Sequence, residues 1–241
     1  SSDLDSELGP DGYHDVPAHA ADLHALVHDH LGHRRVVLAG GDLGGPIIQE
    51  LSLRHPEWVD RMVLFNSPLP YLRDRMDDLE TRPPAEVLDY FVRQGTDPDG
   101  LMAELGDDAA RRDYVAAFYG ERRWAHPGAF SPEEVAFMVE PFASAAHLRA
   151  SFGAYESTFS EAARSDESVF RGRENPTRTL VLFGPSDHVI HPDFDRMAER
   201  VFPDHVGPVR IDACGHFVPW EAPEAFVRET VAFCADLLPT R

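Results

Sequence analysis

The chain has 241 residues with 42 acidic side chains, 22 arginines and no lysine, for a formal charge of −20. Such a charge excludes nucleic acid or an anionic membrane as an electrostatic partner and disfavours small anionic substrates. The length can bury the core of one catalytic domain with a lid, and no stretch approaches a membrane span or shows a secretory signal. Two cysteines make no disulfide framework, which points to a reducing cytoplasm. Arginine in every basic position fits a GC-rich bacterial genome, and acidic runs such as residues 74–80 read as solvated faces.

A polar start leads to a helix from about Ala18 to Leu31. Val36 to Gly45, Val-Val-Leu-Ala-Gly-Gly-Asp-Leu-Gly-Gly, then reads as a buried strand entering a tight glycine turn with Asp42 at its tip. In a nucleophile elbow the central residue is forced into a strained conformation and held out over the sheet's end. Gly40 and Gly44 stand where a Cβ would meet neighbouring backbone. A dinucleotide fingerprint fails, because Asp42 occupies its third position and would repel a pyrophosphate. The Walker pattern lacks its Gly-Lys-Ser/Thr, and a plain structural turn is the remaining competitor.

Arg61–Phe65 and Thr179–Phe183 read as consecutive core strands with more than a hundred residues between them. A structureless loop of that length is implausible. Helical periodicity over Pro84–Gln94, Asp107–Tyr119, Glu133–Val139 and Ala145–Phe159 predicts a helical lid instead. The chain thus divides into core (1–69), lid or cap (70–170) and core (171–241). After Thr179–Phe183, Gly-Pro-Ser-Asp places Asp187 at a strand's C-terminal edge, where α/β sites collect. A short strand at Val209–Ile211 precedes Cys214-Gly215-His216-Phe217, and a final helix runs from about Pro223 to Leu238. Asp187 alone is a turn residue and His216 alone one of 13 histidines. Their order behind Asp42, each after a strand, is that of a nucleophile, acid and histidine triad. His188 and His191 read as loop surface, and Cys214 and Cys234 as buried small hydrophobes.

With these parts assembled, the chain resembles α/β-hydrolase-fold enzymes of the aspartate-nucleophile group, the epoxide hydrolases and hydrolytic dehalogenases. Gly-Gly-Asp-Leu-Gly-Gly and Gly-His-Phe-Val-Pro-Trp-Glu-Ala-Pro-Glu carry the likeness, which spans the chain but is weak from Pro70 to Phe170. It implies an α/β fold, a mostly parallel sheet flanked by helices with an inserted helical cap. It also implies no cofactor, no metal and a small apolar epoxide as the substrate, with a homodimer left open. By the same resemblance Asp42 forms an alkyl ester, and water activated by His216 and Asp187 hydrolyses it to a vicinal diol. Two lid tyrosines, Tyr90 and Tyr155, donate to the epoxide oxygen, with Tyr114 and Tyr119 in reserve. Leu43, Phe217 and Trp124 would contact substrate.

Haloalkane dehalogenases usually place Trp after the aspartate and fluoroacetate dehalogenases Arg. Leu43 offers neither donor, which favours epoxides. Trp124 could in principle give a halide an indole N–H, but an aromatic in Arg-Arg-Trp more often anchors packing. Haloalkane or haloacid dehalogenation, and a non-catalytic binding protein, remain the alternatives. The oxyanion hole would use the Leu43 backbone N–H. Its second donor comes in such enzymes from a His-Gly-x-Pro loop, which this sequence lacks. The chain resembles the family from just after its Gly-x-Gly-x-Ser turn, so the first three or four strands, about 60 to 90 residues, are expected to be missing.

Overall fold

In the computed structural model, which describes residues 14–120 and 122–237, four parallel strands form one sheet in the order β1-β2-β3-β4. These are β1 (Val36–Gly41), β2 (Val59–Phe65), β3 (Thr179–Phe183) and β4 (His205–Arg210). Because all run the same way, their C-terminal ends share one edge. Asp42, Asn66 and Gly184 are the first residues past β1, β2 and β3.

The alternation of a strand's side chains assigns each residue to one of two cores. Met62, Leu64, Val181 and Phe183 pack with Trp58, Phe194 and Phe202 under α1 (Val16–His24), α2 (Gly44–Arg54) and α9 (Phe194–Val201). Val63, Leu180 and Leu182 point the other way, toward Val218 of α10 (Val218–Glu221) and Phe233 of α11 (Pro223–Phe233). Helix α1 is capped by Asp15 and continues as a π-helical turn over Ala25–His30. At its end His24 stacks on His28 and His55 beside Trp58. Among the described residues His24, His28 and Asp29 alone approach metal-ligand spacing. Asp29 and Arg34 already take both His28 nitrogens, so the trio reads as packing.

Among the described residues between β2 and β3 lie six α-helices: α3 (Asp89–Thr96), α4 (Pro98–Glu104), α5 (Asp108–Tyr119), α6 (Pro132–Val139), α7 (Ala145–Ser151) and α8 (Gly153–Phe159). They share an aromatic core of Tyr90, Phe118, Trp124 and Phe152. The helix expected over Ala145–Phe159 breaks at Phe152, which is wholly buried, and a Cβ on the next residue, Gly153, would lie 2.7 Å from the His14 Cβ. Helix α4 and the 3₁₀ start at Ala85–Leu88 were not anticipated.

Two buried carboxylates hold the chain as it leaves this insertion. Asp15 accepts from the Ser165 N–H (2.8 Å) and hydroxyl (2.6 Å). Glu50, on α2, accepts from the Ser168 hydroxyl (2.7 Å) and the N–H groups of Val169 (2.9 Å) and Phe170 (3.2 Å). At the entry His191 accepts from the Leu69 N–H (3.0 Å) and pairs with the Thr81 carbonyl (2.6 Å). Burial pulls its pKa down. It is therefore a bridge and not the surface residue expected; His188 is exposed.

Strand β4 begins at His205, four residues before the expected Val209. The strand runs through Gly207-Pro208 because β4 is an edge strand, where a missing N–H leaves no ladder bond unmade. Helix α11 ends at Phe233, followed by a 3₁₀ turn over Ala235–Leu237; Leu238 and the polar start lie outside the described residues. Cys214 is buried as expected, whereas Cys234 is half-buried. No helix of the described residues is long and apolar enough to cross a membrane.

Candidate active site

The turn after β1 holds Asp42 at φ +44°, in the left-handed region, at a cost of about 1 kcal/mol. Its N–H donates to the Asn66 carbonyl (2.9 Å), and its own carbonyl accepts from the Gly45 N–H (3.0 Å) and the Ser67 hydroxyl (3.2 Å). A Cβ on Gly40 would lie 2.6 Å from the Gly44 carbonyl oxygen, and one on Gly45 1.7 Å from the Ser67 hydroxyl, while Gly44 faces open space. The close approaches therefore fall at Gly40 and Gly45, and not at Gly44 as the flanking pattern implied. With its backbone pinned, Asp42 keeps a side chain that is 42% exposed. Leu43 opens the first turn of α2, so its N–H is one of that helix's free amides.

His216 brings the two aspartates together. Its Nδ1 lies 2.7 Å from Asp187 Oδ2 and its Nε2 3.6 Å from Asp42 Oδ2. The Nε2 atom is buried without a hydrogen-bond partner. Burial alone would lower the His216 pKa, but Asp187 and then Asp42 outweigh it and hold it up at about 10. Burial likewise works to raise Asp187, and the imidazole beside it brings its carboxyl below the ordinary value.

Asn66, which sequence reasoning missed, fixes Asp187. Its amide donates to Asp187 Oδ2 and to the Gly184 carbonyl (both 2.9 Å), and its side-chain oxygen accepts from the Gly184 N–H (2.8 Å). The other Asp187 oxygen accepts from the N–H groups of Val189 (2.8 Å) and Ile190 (3.2 Å). The available signal was Asn66's place directly after an apolar strand. Sequence reasoning also missed Glu221, five residues after His216. Its carboxylate accepts from the N–H groups of His126 (2.7 Å), Gly215 (2.8 Å) and Phe217 (2.8 Å).

A cavity of about 540 Å³ opens over Asp42, with Leu43, Ile47, Pro68, Phe91 and Ala154 in its walls. Trp124, Phe217, Tyr90 and Tyr155 are not among its lining residues. They form a chain of aromatic contacts that begins at His216, with Trp124 at 5.0 Å and Phe217 at 5.1 Å between ring centroids. Tyr90 continues the chain, 5.1 Å from Trp124 and 6.0 Å from Tyr155. Burial first, and then the charge of Asp42, push both tyrosine pKa values up, so both phenols stay protonated. Among the described residues neither hydroxyl has a protein partner. Tyr114 is instead engaged by Gln94 (2.9 Å), and Tyr119 stacks on Phe217 (4.9 Å).

Comparison with known proteins places this geometry in context. The profile of the alpha/beta hydrolase fold matches residues 4–223. A soluble epoxide hydrolase of Corynebacterium sp. (strain C12) is 26% identical over 236 residues, covering 97% of this chain and 78% of that protein. Among solved structures, the epoxide hydrolase CorEH without ligand superposes with a TM-score of 0.76 at 21% identity, over 93% of this chain and 76% of that one. The juvenile hormone epoxide hydrolase of the silkworm Bombyx mori gives 0.73 at 17%, over 93% and 59%.

Proposed function

Given that the chain belongs to the alpha/beta-hydrolase fold family, we propose that it is an epoxide hydrolase working through an aspartyl ester, with the helical insertion as its cap. The observation that carries the reading is one imidazole between two unlike carboxylates. Nδ1 is bound to buried Asp187, and Nε2 faces half-exposed Asp42 at 3.6 Å. The relatives named as epoxide hydrolases, and Leu43 in place of a halide donor, favour epoxides over haloalkanes.

Asp42 attacks an epoxide carbon from behind, forming a carbon–oxygen ester bond as the ring C–O bond breaks. The ring oxygen takes its proton from Tyr90 or Tyr155. Esterification removes the negative charge opposite His216 Nε2, one of the two that keep the imidazole protonated. His216 then releases its proton, which restores the tyrosine through solvent, and becomes a base. It next takes a proton from water while hydroxide adds to the Asp42 carbonyl carbon. The intermediate's oxyanion faces the Leu43 N–H. Collapse frees the diol, with Asp42 ionised and His216 protonated once more, so one water is consumed and the protons balance.

Intact-protein mass spectrometry of His216→Gln with styrene oxide, followed by peptide mapping, tests this. A gain of one substrate mass on the peptide holding Asp42 is expected. An adduct with a haloalkane but none with the epoxide would move the assignment to dehalogenation, and no adduct with either would overturn it.

A further inference from the structure

The loop that carries His216, together with Glu221 just after it, exchanges hydrogen bonds with the insertion segment 124–126. The His216 N–H donates to the Trp124 carbonyl (2.8 Å), and the His126 N–H returns to Glu221 Oε2 (2.7 Å). The same carboxylate takes the N–H groups on either side of His216, those of Gly215 and Phe217, both at 2.8 Å. A Cβ on Gly215 would lie 2.4 Å from the Trp124 carbonyl oxygen and 2.7 Å from the His126 nitrogen, so the seam closes only over glycine. The His126 ring adds a contact to the Ser186 hydroxyl (2.9 Å), one residue before Asp187. The insertion thus rests on both loops that aim the imidazole. It also brings the Trp124 ring to 5.0 Å from that of His216, whose side chain is only 3% exposed.

A carboxylate suits this place and an amide does not. Three N–H donors converge on two oxygens, and replacing either oxygen by NH₂ would set donor against donor. Charge-assisted bonds to backbone N–H groups are also the stronger kind. Its carboxylate bonds the N–H groups on both sides of His216, so its influence on chemistry passes through that residue.

We infer that Glu221 is a positioning residue that locks seating of the insertion to alignment of His216, so that the imidazole is aimed only while segment 124–126 is in place. This rests on the reading in which His216 clears the Asp42 ester. It predicts a selective defect: ring opening needs Asp42 and the tyrosines, whereas ester hydrolysis needs the aimed imidazole. Displacing a reacting group by about 1 Å costs on the order of 100-fold in rate.

The test uses the full chain as wild type, E221Q, E221D and H216Q, with one readout that needs substrate and one that does not. In quenched-flow mass spectrometry with styrene oxide, E221Q is expected to open the ring within about threefold of wild type. It should clear the ester ~10- to 100-fold more slowly, so that the Asp42 adduct accumulates and KM falls along with kcat. Without substrate, the low-field proton NMR signal of the His216 Nδ1–H held by Asp187 should broaden in E221Q through faster exchange. Thermal melting measures general damage, and if E221Q does not fold, E221D is judged by the same two readouts.

An unchanged NMR signal and wild-type ester clearance in E221Q, with H216Q still trapping adduct, would overturn the role of Glu221 and leave the epoxide reading intact. Equal slowing of ring opening and hydrolysis would also overturn it, as a merely structural effect. If neither wild type nor H216Q forms an adduct, the epoxide reading fails. The NMR signal then decides alone whether Glu221 aims His216, with a broadened signal supporting it and an unaltered one refuting it.

Discussion

The turns after β1 and β3 both present an aspartate to His216, yet they are built in opposite ways. Asp42 has its backbone pinned in a left-handed conformation while its side chain stays 42% exposed beneath a cavity. Asp187 is buried, with its carboxylate saturated by His216, Asn66 and the N–H groups of Val189 and Ile190. A carboxylate tied by several hydrogen bonds is stabilised as an ion and made a poor nucleophile, while one held only through its backbone keeps its lone pairs for an electrophile. The difference supports the proposed division of labour, in which Asp42 attacks and Asp187 supports.

Asp42→Asn breaks the comparison most severely. Turnover of styrene oxide in a diol-formation assay should fall by on the order of 10⁴-fold or more, with melting temperature near that of wild type. Asp187→Asn should cost about 10³- to 10⁴-fold, because the imidazole loses both its preferred tautomer and its counter-charge. Unlike the first variant it should trap the ester on Asp42, visible as a mass gain.

Asn66→Ala sharpens the comparison more gently. It leaves the backbone donors to Asp187 in place and removes the amide, so unfolding in urea should show a loss of about 1–3 kcal/mol for the buried groups left unpaired. Stability should also depend on pH through His216. The His216 pKa is raised in the folded state from 6.5 to about 10. Its stabilisation is therefore complete below about pH 6.5 and is lost as pH rises toward 10. The gap in denaturation free energy between wild type and H216Q should follow that course. Asp42→Asn should lower the His216 midpoint measured by NMR, because the second counter-charge is gone.

The turn that carries Asp42 was legible because its logic is local. Gly40, Asp42 and Gly45 lie within one turn of chain, and the His216 loop is set off by its own glycine and the short strand before it. The partners that make these residues work are remote in sequence. Asn66 reaches Asp187 across 121 positions, and Glu221 reaches His126 across 95. No periodicity encodes such pairings. The break at Phe152 and the extension of β4 through Gly207-Pro208 were hidden for a related reason, since in both places tertiary packing overrides what the local residues prefer. Resemblance alone singles out Tyr90 and Tyr155, and no local pattern encodes the aromatic contacts that link them to His216 through Trp124.

The two carboxylates that grip the exit from the insertion bear on how such enzymes can be recombined. A chimera cut just after Phe170 would carry Ser165, Val169 and Phe170 but leave behind Asp15, the cap of α1, and Glu50 of α2, both supplied by the recipient. The transplanted segment would then arrive with backbone donors and no acceptors for them. A graft of this roof onto another hydrolase therefore has to bring along two acids that, in sequence, lie more than a hundred positions upstream of the segment they hold.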